Sequence, residues 1–179
     1  MLFSADSNGE QVITLHGDLV WRVIVRLLGD DGELAEDCFQ ETFTQYLQRS
    51  HGGGNTRHTG ALLARIAARR AIDAIRSRVR ERGRRQPFIE ETIDSDTASQ
   101  PSFQAEGSEF LTDLRLALAA LPEKQAAAFV LTQIEDLSHD EAGQALRVTA
   151  NHVRVLVHRA RVALRSRLAN HQFHSDEAP

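Results

Sequence analysis

The stretch LSHDEAGQALRVTANHVRVLVHRARVAL at residues 137–164 predicts two helices joined by a short turn. Ser138 and Glu141 stand at the spacing of a capping box, which marks the start of a short helix over 139–146. Thr149 is a suitable N-cap for a longer final helix. Short helix, short turn and long helix form the helix-turn-helix pattern, which by itself is shared by many helical hairpins.

The two faces of this final helix differ in chemistry. Five apolar residues recur at helical spacing and predict the buried stripe: Val153, Val157, Ala160, Leu164 and Leu168. Five polar residues with the same spacing, and no acid among them, form the outward stripe: Asn151, Arg154, His158, Arg161 and Arg165. Asparagine and arginine bind adenine and guanine bidentately in the major groove. The outward stripe therefore predicts a DNA-recognition helix, with a solvated polar face as the simpler alternative.

Arginine is concentrated in two blocks of the chain. The segment 57–85 holds ten arginines against two acids, and the segment 147–167 holds six arginines and no acid, although the whole chain has a net charge of −4. Basic surface on two separate helical segments is the electrostatic footprint of a nucleic-acid partner. Solvated helix faces are the alternative explanation.

Three amphipathic helices are predicted upstream of the first arginine block and within it. The first covers about 11–28, with Leu15 among its apolar residues and Arg22 and Arg26 on the opposite stripe. The second covers about 33–49 and exposes five polar residues at helical spacing: Glu36, Asp37, Gln40, Glu41 and Thr44. The third covers about 60–80 and is expected to bury six residues: Leu62, Leu63, Ile66, Ile72, Ile75 and Val79.

Composition limits the class of protein further. The chain has 179 residues, 41% hydrophobic and 26% charged, which is ordinary usage for a globular protein. Its one cysteine, Cys38, has no partner for an internal disulfide and is expected to be a buried small hydrophobe. The longest apolar stretch, 12–28, is interrupted by charges, and the N-terminus lacks the pattern of a secretory signal. An all-α, cytoplasmic protein without a membrane segment is the expectation.

The chain is expected to consist of two small helical units. Residues 85–107 are rich in Ser, Thr, Gln, Pro and acids and read as a flexible linker between a unit at 1–84 and a unit at 108–170, with a disordered tail at 171–179. The second unit begins with a stripe of leucines at helical spacing: Leu111, Leu114, Leu118 and Leu121.

Several motifs resemble those of the extracytoplasmic-function (ECF) class of bacterial RNA polymerase sigma factors, in the sigma-70 superfamily. LAEDCFQETF at 34–43 is similar to the AED-x-x-Q-E-x-F signature of the polymerase-binding part of region 2, and ARIAARRAIDAIR at 64–76 to the promoter-melting helix. LAALP at 118–122, LSHDEA at 137–142 and VRVLVHRAR at 153–161 resemble region 4, in the family's order. The resemblance implies a region 2 helical bundle and a region 4 helix-turn-helix joined by a linker.

The resemblance also implies functions for named residues. Asp37, Gln40 and Glu41 would meet the clamp helices of the largest subunit of core RNA polymerase. Promoter contacts near the minus-ten element would come from Arg65, Arg69, Arg76 and Arg80, and near the minus-thirty-five element from Thr149, Asn151, Arg154, His158 and Arg161. Arg147 stands where the family usually has glycine in the turn. An anti-sigma factor is a further candidate partner.

Two other classes stay open on the sequence alone. A stand-alone helix-turn-helix regulator would use only residues 108–168 and would leave the acidic stripe of the second helix without a function. A helical protein-interaction adaptor would leave both arginine blocks unexplained. No nucleophile-base arrangement, phosphate loop or paired-acid site is present, so an enzyme is not expected. The scattered histidines lack a completing cysteine or carboxylate, and neither a metal nor a cofactor is predicted.

Overall fold

The computed structural model describes residues 4–29, 31–50, 58–85 and 103–169. In this part the chain forms a series of α-helices without strands: α1 (Ser4–Leu28), α2 (Gly32–Ser50), α3 (Thr59–Arg85), α4 (Phe103–Ala119), α5 (Glu123–Phe129), α6 (His139–Leu146) and α7 (Ala150–Arg167). A π-helical turn, Val130–Ile134, extends α5. The all-α expectation is confirmed. Most of the expected linker and all of the expected tail lie outside the described residues.

Three helices are longer than the apolar periodicity indicated. Helix α1 begins at Ser4, α3 continues to Arg85 and α4 begins at Phe103. These added turns are mostly polar and therefore carry no amphipathic signal. They also contain no proline, so nothing in them interrupts the helical hydrogen-bond ladder.

Helices α1, α2 and α3 form the first unit, and their apolar stripes meet in its centre. Val23 and Ile24 of α1 and Leu63 of α3 have no exposed surface, and Phe43 of α2 is 4% exposed. Thr42 is also fully buried, and its hydroxyl donates to the Cys38 carbonyl at 2.7 Å, which satisfies the polar group inside the core. Cys38 of α2 is 4% exposed, so its expected burial is confirmed, and the side of α2 opposite the polar stripe lies in the core.

Three apolar residues expected on buried stripes are exposed instead. Leu15 is 76% exposed, because it lies nine residues, or about 2.5 turns, from Ile24 and so faces away from the core. Val79 is 46% exposed, and residues 78–82 are exposed with it, so this end of α3 extends past the helices that pack on it. Leu111 is also 46% exposed, in a turn of α4 whose next residue is exposed as well.

Helices α4 to α7 and the π-helical turn form the second unit. Leu118, Leu131 and Val153 are each at most 1% exposed and lie at its centre. The stripe predicted for the last helix is confirmed, with Val153, Val157, Ala160 and Leu164 buried and Leu168 partly buried.

The two units pack against each other in this structure. Helix α3 lies against α4, α5, α6 and the π-helical turn, and the buried apolar residues of both units form one continuous cluster. The expectation of a flexible linker at residues 85–107 gave no indication that the two units pack against each other. The face of α3 that meets the second unit carries several of the arginines predicted to bind DNA.

Candidate protein and nucleic-acid interfaces

The polar stripe of α2 is a continuous exposed surface. Asp37, Gln40 and Glu41 are all exposed, as their spacing predicted. They line a shallow groove with further polar residues of the same helix, Thr44, Gln45 and Gln48, and with Arg70 of α3. The structure thus brings the three predicted polymerase-binding residues together on one surface.

The groove is bounded by an ion pair and backed by the core. Arg70 Nη1 lies 3.1 Å from Glu41 Oε2, which fixes the edge of the stripe against α3. Cys38, behind the stripe, is 4% exposed, and burial, with Glu41 and Asp37 nearby, raises the pKa of its thiol to about 11. A thiol of this kind is a poor nucleophile, which agrees with its expected packing function.

Arginines on one face of α3 contact the second unit. Arg65 Nη1 donates to the Ala145 carbonyl at 2.9 Å. Burial, with Arg49, Arg147 and Arg69 nearby, lowers the pKa of the Arg65 guanidinium. Arg69 pairs with Asp73 at 3.6 Å and with Glu123 of α5 at 3.3 Å.

Arg76 makes the largest set of these contacts. Its guanidinium donates to the carbonyls of Ala119 and Leu121 at 2.8 and 2.7 Å and to Asp73 at 3.0 Å, and its side chain is 27% exposed. Arg80, one turn further along α3, is exposed. Three of the four arginines predicted at the minus-ten element therefore have partners inside the protein.

The helix-turn-helix has the predicted local geometry. Ser138 and Glu141 form the capping box at the start of α6, and Thr149 caps α7 by accepting the His152 amide at 3.2 Å. Arg147 ends α6 with φ 57°, in the left-handed region that usually takes glycine. Gly143, earlier in α6, has no room for a larger residue, because a Cβ there would lie 2.8 Å from the Val148 carbonyl oxygen.

The outward face of α7 is exposed along its length. Asn151, Arg154 and His158 are exposed and lie on the predicted stripe, with Thr149 at its N-terminal end. Arg161 is exposed as well, and its guanidinium donates to the Gln133 side chain in the π-helical turn. No acidic residue occurs in α7, so the positive potential of this surface has no neutralising carboxylate on the helix itself.

The sequence reasoning missed two sets of residues. Val155 and Arg159 are exposed beside Asn151 and His158, so the exposed face of α7 is wider than the predicted stripe, and their positions four and eight residues after Asn151 could have indicated this. Arg22 and Arg26 were predicted as a solvent stripe, yet both pair with Glu135 of the second unit, at 3.3 and 3.0 Å. Nothing in the sequence pattern marks Glu135 as their partner.

Comparisons with known proteins agree with this division of the chain. The family model of sigma-70 region 2 matches residues 12–81, and that of sigma-70 region 4 matches residues 111–164. The first match spans the α2 stripe and the arginine face of α3, and the second spans the helix-turn-helix. The chain belongs to the sigma-70 family of RNA polymerase sigma factors.

Individual relatives indicate a class within the sigma-70 family. The ECF RNA polymerase sigma factor SigE of Mycolicibacterium smegmatis is 35% identical over 171 residues, covering 94% of this chain and 64% of the relative. The ECF RNA polymerase sigma factor SigW of Bacillus subtilis is 27% identical over 164 residues, covering 88% of this chain and 87% of the relative. Within the sigma-70 family, the chain is a member of the ECF class. It spans a little under two thirds of the length of the Mycolicibacterium protein.

A solved structure shares the fold. The sigma factor RpoE of Bartonella quintana, crystallised in complex with the anti-sigma factor NepR, superposes with a TM-score of 0.51 at 22% identity, over 89% of this chain and 96% of that one. At this level of identity the match concerns the fold alone.

Two further properties hold for the described residues. None of their helices is long and apolar enough to cross a membrane. No three of their His, Cys, Asp or Glu side chains are grouped closely enough to hold a metal ion.

Proposed function

We propose that this chain binds core RNA polymerase through α2, binds promoter DNA through α3 and α7, and thereby directs the start of transcription. The observation that carries the proposal is the presence, in one sigma-70 family chain, of an exposed acidic stripe on α2 and an exposed, acid-free α7. The first surface suits a basic protein partner and the second suits DNA phosphate and base edges. A stand-alone DNA-binding regulator would need only the second.

The α2 surface would contact the polymerase through Asp37, Gln40 and Glu41. Two carboxylates and an amide supply hydrogen-bond acceptors at helical spacing, which a positively charged pair of helices could meet with arginine or lysine side chains. The clamp helices of the largest subunit are the proposed partner.

The DNA surface would divide between two helices. Arg65, Arg69, Arg76 and Arg80 of α3 would follow the backbone of the opening minus-ten region. On α7, Asn151 and Arg154 would reach base edges of the minus-thirty-five element because they lie in its first turns. Thr149, His158 and Arg161, together with Arg159, would contact phosphates, as positions at the cap and further along the helix meet the backbone.

The proposal includes the setting and the regulation of this protein. Catalysis would belong to the polymerase, and the chain would act beside it in the cytoplasm. An anti-sigma factor is a second proposed protein partner, since the Bartonella sigma factor of the same fold was crystallised with one.

A reconstituted transcription assay tests the proposal. Purified chain, core polymerase and a promoter fragment should yield a run-off transcript, and Asp37→Arg with Glu41→Arg should weaken polymerase binding by at least about tenfold, because two attractive contacts become repulsive. Binding is measured by co-elution or fluorescence titration, with circular dichroism to confirm unchanged helicity.

A matched control shows whether polymerase binding depends on where the charges are reversed or on the net charge alone. Glu10→Arg with Asp18→Arg makes the same two changes on exposed positions of α1 and should bind polymerase normally. Asp37→Arg alone leaves the ion pair of Glu41 with Arg70 intact and should still weaken binding. Normal binding by the α2 double variant, or a wild-type chain that supports no transcript, would contradict the proposal.

A further inference from the structure

Helix α7 carries two exposed valines that lie outside the predicted outward stripe. Val155 is 41% exposed and Val162 is 55% exposed, whereas Val153 and Val157 of the same helix are buried. The polar contacts proposed between α7 and DNA use neither of the exposed valines. Their apolar side chains therefore lie on a surface whose other members are proposed to bind bases and phosphates.

Val155 lies at the centre of the exposed face of α7. At about 100° per residue, it is about 160° around the helix axis from Val153 and about 180° from Leu164, both of which are buried. Arg154 and His158, on the outward stripe, are about 100° and 60° away from it, both to the same side. The side chain that points most directly away from the core is thus apolar, and the polar stripe runs along one side of it.

Val155 also lies at the right place along the helix to meet a base. It is the sixth residue of α7 and follows Arg154 directly, so it is only about 1.5 Å further along the axis than a residue proposed to reach base edges. Val162 is about 10.5 Å further along the axis than Val155 and lies beyond those first turns. The position therefore favours Val155 over Val162 as a residue that contacts a base.

The chemistry of valine selects one kind of base. Its side chain has no hydrogen-bonding group and is held in one main rotamer in a helix, so it presents its methyl groups in a nearly fixed position. In the major groove, thymine presents a C5 methyl group, whereas cytosine presents an amino donor. A valine can bury the methyl group at no polar cost, but it would leave the amino group of cytosine without a partner. Valine at this position favours thymine.

The charge around Val155 favours DNA over an apolar protein surface as its partner. Arg154, His158 and Arg159 are exposed beside it, and α7 contains no acid. A protein that covered this valine with apolar residues would also bury these cations without compensation. In the major groove the same cations would lie beside phosphates while the valine faces the base edges.

We infer that Val155 is a specificity-determining residue, which recognises a thymine of the upstream promoter element by apolar contact with its C5 methyl group. This inference rests on the proposed DNA-binding function of α7, and it adds a contact that the hydrogen-bonding groups of Asn151 and Arg154 cannot make. Asn151 lies one turn before Val155, with the two Cβ atoms about 5–6 Å apart, and base pairs follow one another at about 3.4 Å. The thymine should therefore lie within about two base pairs of the base that Asn151 contacts.

Deoxyuridine tests the contact, because it pairs like thymidine and lacks only the C5 methyl group. The upstream element is first defined by selection from a randomised promoter, with holoenzyme assembled from core polymerase and the full chain. Each thymine on either strand is then replaced by deoxyuridine, one at a time, and competition binding measures the affinity of the holoenzyme for each duplex. Val155→Ala removes the contacting methyl groups, and Val162→Ala makes the same change at the other exposed valine of α7.

Wild-type holoenzyme should lose about fourfold in affinity at one thymine, the change that corresponds to burial of a single methyl group. Val155→Ala should bind the thymidine and deoxyuridine duplexes with equal affinity, whereas Val162→Ala should discriminate between them as wild type does. Equal wild-type affinity for every deoxyuridine duplex would overturn the inference. Retention of the fourfold discrimination by Val155→Ala would overturn it too, because the methyl group would then contact another residue.

Failure of the proposed function gives a different result. If the chain and core polymerase together bind no promoter, both the proposed function and this inference are refuted. Promoter binding and a run-off transcript that do not depend on any thymine methyl group would overturn this inference alone and leave the proposed function standing.

Discussion

Helices α3 and α7 are the two arginine-rich helices of this chain, and they differ in what their arginines contact. On α3, Arg65, Arg69 and Arg76 have partners in the second unit, and the Arg76 side chain is 27% exposed. On α7, Arg154 and its neighbours on the outward stripe are exposed. Similar composition thus gives three α3 arginines with partners in the second unit, while the outward stripe of α7 is exposed along its length.

The difference shows that a count of arginines does not measure the charge available to a ligand. A guanidinium bonded to helix C-terminal carbonyls must lose those bonds before it can bind phosphate, and breaking a hydrogen bond to a charged group costs about 1.5–3 kcal/mol. An arginine without such bonds has only water to displace. The two helices should therefore respond differently to the same substitutions.

The largest expected effect tests whether α3 and α7 are stabilised by one shared hydrophobic core. Leu63→Ala removes a side chain of α3 with no exposed surface and should lower the free energy of unfolding by about 2–5 kcal/mol. Because the apolar cluster is continuous, fluorescence of Trp21 in the first unit and far-UV circular dichroism of the whole chain should report one coincident transition. Leu111→Ala, at an exposed position, should change stability by less than about 0.5 kcal/mol. Two separate transitions would show that the units unfold independently.

A second test separates base recognition from phosphate contact among the arginines of α7. Arg154→Ala, near the N-terminus of α7, should cost about 1–3 kcal/mol at one base pair of the upstream element and relax the preference there. Arg161→Ala, two turns further along, should weaken all sequences alike. Selection of bound promoters from a randomised upstream element by each holoenzyme measures both effects. A shifted motif for Arg161→Ala alone would reverse the assignment.

The third test concerns the turn that sets the angle of α7. Arg147 has φ 57°, and a side chain in this conformation costs about 1–2 kcal/mol relative to the right-handed region. Arg147→Gly should raise the free energy of unfolding by up to about 1 kcal/mol, since the greater freedom of unfolded glycine offsets part of the relief. Arg147→Ala loses the same charge but keeps the strain, so chemical denaturation should show no gain. Equal stabilisation by both variants would assign the effect to charge.

Much of each unit could be predicted from the sequence because its signals are local. The capping box, the Thr149 cap and the buried and exposed faces of α2 and α7 follow from spacings of three and four residues. The exposed position of Leu15 could have been predicted too, since it lies on the opposite side of α1 from Ile24.

The interface between the units could not be predicted, because it joins residues that are distant in the chain. Arg26 and Glu135 are 109 positions apart, and neither has a local pattern that specifies the other. Backbone carbonyls such as those of Ala119 and Ala145 carry no residue-specific signal at all. The candidate DNA residues of α3 were therefore identifiable by type and spacing, whereas their internal partners required the three-dimensional structure.

The smallest expected effect concerns two N-terminal helix caps at low pH. Asp31 caps α2 in the first unit, and Ser138 with Glu141 caps α6 in the second unit. Hydrogen bonds from the Ser138 hydroxyl and amide lower the pKa of Glu141, and the Leu34 amide and Arg78 lower the pKa of Asp31. A lowered folded-state pKa favours the carboxylate in the native state, so this stabilisation is present above the ordinary values of 4.5 and 3.8 and is lost as pH falls through the lower folded values. Glu141→Gln should thus destabilise the chain at pH about 7 by less than about 1 kcal/mol, since solvent screens this exposed carboxylate, and should cost less at pH about 3. Urea titrations at both pH values measure the change, with Asp140→Asn as the matched exposed substitution on α6. A cost for Glu141→Gln that is the same at both pH values would show that the charge of Glu141 has no part in the cap, and that the hydrogen bonds with Ser138 alone stabilise the start of α6.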